Sequence, residues 1–161
     1  MTAYRIEPGQ PADMPDVAAF AAAIQEHERA RAPQLRPGAA VAEAYLAHLR
    51  ERLAGPGGAL LMARAGEAAI GFVCGWTGED DDMLLEPACR QHGYISDLYV
   101  VPEWRRRGVA QALLVAMEAH FRAQGLARLR ICSKAGNAEA LPAYTAAGFV
   151  PYEVILERPL G

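Results

Sequence analysis

Near the middle of the chain the apolar pattern changes period. Residues 94–101 read as a strand closed by Pro102, and from there on Val109, Leu113, Met117 and Phe121 recur at the four-residue spacing of one helix face. The join is Arg105-Arg106-Arg107-Gly108-Val109-Ala110. A strand that passes into a helix through so short a loop commits the chain to packing helix on sheet. The loop also has a chemistry of its own. The first amides of a helix lack an intrahelical partner, and the macrodipole adds about half a positive charge there. Glycine permits positive φ and lets backbone approach a ligand closely. With three arginines alongside, these groups make a cradle suited to a pyrophosphate.

The flanking segments supply the other elements. Residues 4–6 read as a short first strand ended by Pro8-Gly9. Asp13 is placed to cap a helix with Val17, Phe20, Ala21 and Ile24 on one face, broken by residues 33–38. A second helix carries Val41, Tyr45, Leu49 and Leu53 at intervals of four and stops at Gly55-Pro56-Gly57-Gly58. Apolar runs at 59–65 and 68–76, parted by Arg64-Ala65-Gly66-Glu67, read as a β-hairpin. An acidic loop, Glu79-Asp80-Asp81-Asp82, continues to about Gln91. After the helix that follows the arginine loop, Gly125 is placed as its C′ residue. Residues 126–132 read as the next strand, 138–147 as a short helix and 152–156 as a final strand. The order β-α-α-β-β-β-α-β-α-β predicts an α/β fold on one mixed sheet, with residues 1–161 forming a single domain.

Composition narrows the function. An apolar fraction of 52% is enough for a packed core, and a net charge of −3 argues against a nucleic-acid partner. No run approaches the roughly 20 apolar residues of a membrane span, so no membrane partner is expected. Three cysteines without a signal-peptide pattern point to the cytoplasm. Cys89 and His92 have a ligand-like spacing but no second pair, so no metal is expected. Cys74 and Cys132 lie in apolar strands and read as core. Neither serine, Ser96 or Ser133, sits in a Gly-x-Ser-x-Gly elbow, and no Gly-x-x-x-x-Gly-Lys-Ser/Thr loop is present.

The arginine loop with its approach strand, Asp97-Leu98-Tyr99-Val100-Val101-Pro102-Glu103-Trp104, resembles the GNAT superfamily of N-acetyltransferases, whose acetyl-coenzyme A signature is Arg/Gln-x-x-Gly-x-Gly/Ala. A second motif matches downstream, where Asn137, Ala140, Tyr144 and Gly148 stand at offsets zero, three, seven and eleven. Together the motifs cover residues 97–149. The resemblance implies a mostly antiparallel central sheet with helices on both faces. It also implies acetyl-coenzyme A as co-substrate, transfer of acetyl to a primary amine by direct attack in a ternary complex, and the homodimer common among relatives.

Residue by residue, the resemblance assigns the pyrophosphate to Arg105, Arg106, Arg107, Gly108, Val109 and Ala110. Leu98, Tyr99 and Val100 belong to a strand that splays from its neighbour and binds pantetheine and the acetyl carbonyl through its main chain, with an amide near Leu98 as oxyanion donor. Tyr144 matches the general acid that protonates the departing thiolate. Asn137 contacts the pantetheine arm or caps the last helix, in which Pro142 predicts a late start or a bend. Asp97 is the first candidate for the base, with Tyr94 or His92 as members of a water relay. Residues 79–82 read either as a solvated loop or as part of a site for a cationic amine. A small cationic or zwitterionic amine is the expected acceptor. The alternatives are a protein N-terminus or lysine, or a domain that senses acyl-coenzyme A without turnover.

Overall fold

The computed structural model describes residues 3–160, which form a five-stranded sheet in the order β1-β2-β3-β4-β5. The strands are β1 (Arg5–Pro8), β2 (Ala59–Ala65), β3 (Ala68–Glu79), β4 (Gln91–Val100) and β5 (Leu129–Ile131). All neighbours are antiparallel except β4 and β5, which run parallel because a helix connects them. The helices are α1 (Met14–Arg29), α2 (Gly38–Ala54), α3 (Val109–Ala123) and α4 (Ala140–Ala146).

Each face of the sheet has its own core. On one, Ile70, Val73, Ile95 and Val100 meet Val109, Leu113, Met117 and Phe121 of α3, the stripe read from the sequence. On the other, Val17 of α1 and Leu49 of α2 cover Met62, Phe72, Cys74 and Trp76. Burying a side chain of this size stabilises the fold by about 1.5–3 kcal/mol. Gly93 lies where α3 crosses β4, and a Cβ there would stand 2.5 Å from the Phe121 ring. Only glycine admits that approach.

Several local expectations are corrected. Asp13 makes no side-chain cap to α1; it is buried, accepts from the Gln10 amide at 2.8 Å and pairs with Arg64. A buried carboxylate is held by a guanidinium in preference to a helix end. The strand expected at 126–132 is ordered as β5 only over Leu129–Ile131. The strand expected at 152–156 does not form, and residues 150–160 have no regular structure. The element order is thus the expected one without its final strand. Cys132 is exposed, not core, because β5 ends just before it. The short helix starts at Ala140, so Pro142 falls in its first turn, where an intrahelical N–H bond is not yet required.

Candidate active site

Two irregularities in β4 create the site. The parallel ladder to β5 ends at Ile95 opposite Ile131, while β4 stays paired with β3 as far as Val100. One edge of residues 96–100 therefore faces a gap. The second irregularity is a bulge. Asp97 pairs with Cys74 and Ile95 with Gly75, so Ser96 is the extra residue. Strict alternation from Ile95, which faces α3, would send residue 97 to the α3 side as well. The added residue turns Asp97 to the face of α1 and α2, and above it Leu98 and Val100 return to the α3 core.

On the α1–α2 face Asp97 is only 8% exposed. The Tyr45 hydroxyl, reaching across from α2, donates to its Oδ2, and the Cys74 thiol donates to the same oxygen at 3.4 Å. Oδ1 receives no hydrogen bond from the described residues. Burial, and then the nearby carboxylate, pushes both the Tyr45 hydroxyl and the Cys74 thiol up, so each keeps the proton it donates. Tyr94 stands on this face against Trp76; burial, with Cys132 next, pushes it up to about 12. Tyr144 of α4 packs edge-on to Phe149, and burial followed by the Glu28 and Asp97 carboxylates pushes it up to about 12. Asp97, Tyr94 and Tyr144 thus share one electrostatic neighbourhood.

The main chain of the gap follows from one contact. The Val101 N–H donates to the Ile70 carbonyl at 3.0 Å, so Tyr99 also turns its main-chain groups to β3. Those of Leu98 and Val100 point into the gap. The Val100 carbonyl accepts from Arg105 Nε at 3.1 Å, and Arg105 also reaches Glu139, next to α4, at 3.3 Å. Arg105 is therefore a tie between β4 and α4. Arg106 and Arg107 make no side-chain hydrogen bond among the described residues, and Arg107 lies over Trp104.

Backbone conformation prepares the loop. Arg106 has φ of 58° and Gly108, the N-cap of α3, has φ of 82°. Side-chain capping of α3 is absent, and the amides of Arg106, Arg107, Gly108, Val109 and Ala110 meet no acceptor among the described residues. Such a set of aligned, unpaired N–H groups fits a diphosphate. Asn137 uses its Oδ1 to accept from the Ala140 amide at 3.3 Å, so it caps α4.

Other sequence candidates lie elsewhere. His92 is buried with Asp80 and the Arg90 carbonyl, about five residues and so roughly 16 Å down the strand from Asp97. Burial, with Arg130 next, lowers its pKa. Asp80 pairs with Arg130 through two bonds of 2.7 and 2.8 Å, so the acidic loop is anchored to β5 at the far end of β4. Among the described residues no group of three or more His, Cys, Asp or Glu could hold a metal. Among the described residues no helix is long and apolar enough to cross a membrane. Sequence reasoning missed Tyr45 as a site residue. The available signal was a hydroxyl on an apolar helix stripe, since a buried phenol requires a partner.

Residues 21–149 match the model of the acetyltransferase (GNAT) family. Among solved structures, a GCN5-related N-acetyltransferase from Ralstonia eutropha is 24% identical with a TM-score of 0.77, over 99% of this chain and 100% of that one. An aminoglycoside N-acetyltransferase, AAC(6')-Iy, in complex with CoA is 20% identical with a TM-score of 0.73, over 100% and 97%. An acetyltransferase from Clostridium acetobutylicum with acetyl-CoA is 14% identical with a TM-score of 0.75, over 98% and 97%. No curated protein matches the chain.

Proposed function

Because the chain belongs to the GNAT family of acetyltransferases and is thereby an acetyl-CoA-dependent acyltransferase, we propose that it acetylates the primary amine of a small cationic or zwitterionic molecule. The observation that supports this reading is the gap beside residues 96–100, with Asp97 in the strand that borders it and Tyr144 near enough to feel the Asp97 carboxylate. The amides of residues 106–110 receive the pyrophosphate, with Arg106 and Arg107 adding charge. The Leu98 N–H meets the oxygen of the acetyl group as it becomes an oxyanion; such donors are typically worth a few kcal/mol. The amine nitrogen attacks the thioester carbon, the C–S bond breaks, and Tyr144 gives its proton to the sulfur. Asp97 Oδ1 takes the proton the amine loses, directly or through one water.

The acceptor class follows from charge. The Glu28 and Asp97 carboxylates, which add to burial in holding the proton on Tyr144, make a negative field that favours a cationic ligand. Glu28 has no ion-pair partner among the described residues. The structural neighbours include an aminoglycoside N-acetyltransferase with a bisubstrate analogue, CoA-S-monomethyl-acetylneamine, and another with sisomicin. Those bound molecules support a polycationic amine as the acceptor class here. Three cysteines, all free, support a cytoplasmic setting. Free-thiol release from acetyl-CoA, measured against aminoglycosides, polyamines, amino acids and N-terminal peptides, tests the proposal. Turnover with one small-amine class is expected. Turnover with peptides alone would move the assignment to protein acetylation, and coenzyme binding without turnover would move it to a sensor.

A further inference from the structure

The sheet-facing stripe of α1 ends on a charge. Val17 and Ala21 are buried, Ile24 packs on the same core, and Phe20 stacks on Tyr99 of β4 with ring centroids 5.1 Å apart. Spacings of four, three and four residues carry that stripe from Val17 through Ala21 and Ile24 to Glu28. The interval from Val17 to Glu28 is close to a whole number of turns, so the half-buried Glu28 continues the line of Val17, one turn beyond Ile24. A carboxylate on such a line is ordinarily matched by a cation, since an unmatched one loses hydration with nothing in its place.

The cations beside Glu28 are committed elsewhere. Arg29 donates to Glu26 and to the Leu35 carbonyl, at 3.3 and 3.2 Å. Arg31 stands three residues on, where a helical ion pair with Glu28 would form. It donates instead to the His27 carbonyl at 2.9 Å and to the Gly136 carbonyl, between β5 and α4, at 3.2 Å. The end of α1 is thereby tied to the segment that leads into α4 and Tyr144. The Glu28 carboxylate receives neither a hydrogen bond nor an ion pair among the described residues. Beyond burial, the groups that hold the proton on Tyr144 are this carboxylate and that of Asp97. Asp97 also has capacity left, being 8% exposed with Oδ1 open. Two incompletely matched carboxylates, one from α1 and one from β4, thus meet around one phenol.

We propose that Glu28 is a specificity-determining residue that binds a second cationic group of the acceptor, so that the preferred substrate carries two amines, one reacting beside Asp97 and the other resting on Glu28 as an ammonium. This inference rests on the reading of the acceptor as a small amine and narrows it from one charge to two. Asp97 cannot hold both groups, because its open Oδ1 takes the proton of the reacting nitrogen. An acceptor with a single amine leaves Glu28 unmatched. A carboxylate in place of the second ammonium sets like charges together, which is unfavourable. Phe20 on Tyr99 and Arg31 on Gly136 hold α1 in place at both ends of this span, so the separation of the two carboxylates selects acceptors by length.

Acetyl-CoA turnover with three acceptors of matched chain length tests the inference: an n-alkylamine, an α,ω-diamine and an ω-amino acid, each in a series of lengths. In the unmodified protein kcat/KM is expected to fall in the order diamine, alkylamine, amino acid. The diamine should lead the alkylamine by about ten- to a hundredfold at one preferred length. Glu28→Gln should bring that ratio close to one. Glu28→Lys should place the amino acid ahead of the diamine, a reversal that partial loss of folding would not produce. Acetyl-CoA affinity, measured by calorimetry, should be the same in all three proteins. Equal kcat/KM for diamine and alkylamine, no turnover of any diamine, or an undiminished ratio in Glu28→Gln would overturn the inference while small-amine acetylation stands. Absence of turnover with every small amine would overturn that reading as well.

Discussion

In the proposed reaction Tyr144 and Asp97 do opposite work, one giving a proton and the other taking one. Burial first, and then the carboxylates that make the site attractive to a cation, push the Tyr144 phenol up to about 12. The phenol therefore remains protonated throughout the range in which an amine acceptor becomes neutral. Initial rates should not fall between about pH 8 and about pH 10, and Tyr144→Phe should lower kcat by roughly 10²–10⁴-fold. Coenzyme affinity, measured by calorimetry, should be unchanged in that variant. In that proposed scheme Tyr45 acts one step removed, as a positioning residue whose hydroxyl holds Asp97 by Oδ2 and leaves Oδ1 open. Tyr45→Phe should cost about 1–2 kcal/mol of stability in denaturant melts and lower kcat/KM without moving coenzyme affinity. In an Asp97→Asn background, itself expected to lose roughly 10²–10⁴-fold, the additional loss in kcat/KM from Tyr45→Phe should vanish, because residues in one contact are not additive. Equal losses in both backgrounds would show that Tyr45 acts on something other than Asp97.

The elements differ in how much of them was legible. The stripe of α3 was readable because Leu113, Met117 and Phe121 are fixed by period alone, and all are buried. The arginine loop was readable as a loop, but the separate fate of Arg105 was not. Its guanidinium is held by the Val100 carbonyl and by Glu139, 34 residues away in sequence, and local pattern carries no such information. The bulge in β4 was equally invisible: Ser96 is a polar residue among alternating ones, and nothing in residues 94–100 marks it as surplus. Tyr45 read as one more core position because spacing reports the face of a helix, not the destination of a hydroxyl. For the loop, φ of 82° at Gly108 gives a clear test. A Cβ there would meet only the Tyr4 hydroxyl, at 3.5 Å, so Gly108→Ala is penalised by backbone conformation and not by crowding. Its cost should be about 1–2 kcal/mol, read as a lowered melting temperature and weaker coenzyme binding. Gly108→Asn should lose less, since asparagine tolerates that region.

At the scale of the molecule, the far end of the sheet is held by charge. Asp80 fastens the β3–β4 connection to β5 through Arg130 and Arg128, and Arg130 first of all holds its carboxyl below the usual carboxylate range. A depressed folded value means that this contribution is complete at neutral pH and is lost as pH falls below about 4 through the depressed value. Burial likewise holds the His92 pKa below its ordinary value, so charging it in acid destabilises the same corner. Asp80→Asn should lower stability by about 1 kcal/mol at pH 7 and flatten the acid side of the stability profile, followed by urea melts from neutral to low pH. The overall architecture was legible because its elements are separated by strong breaks such as Pro8-Gly9 and the 55–58 loop. The last strand was legible as a pattern and yet does not form, since a strand exists only beside a partner and residues 150–160 have none in the isolated chain.

The Ser96 bulge gives β4 two reading frames, in the sense that a message has them. Below it, odd positions such as Ile95 belong to the α3 side; above it, odd positions such as Asp97 and Tyr99 belong to the opposite side. Loss or gain of a single residue at this point would leave each half of the strand well formed while putting the two out of phase. The apolar half-strand and the chemical half-strand can therefore change independently in composition, but never independently in length.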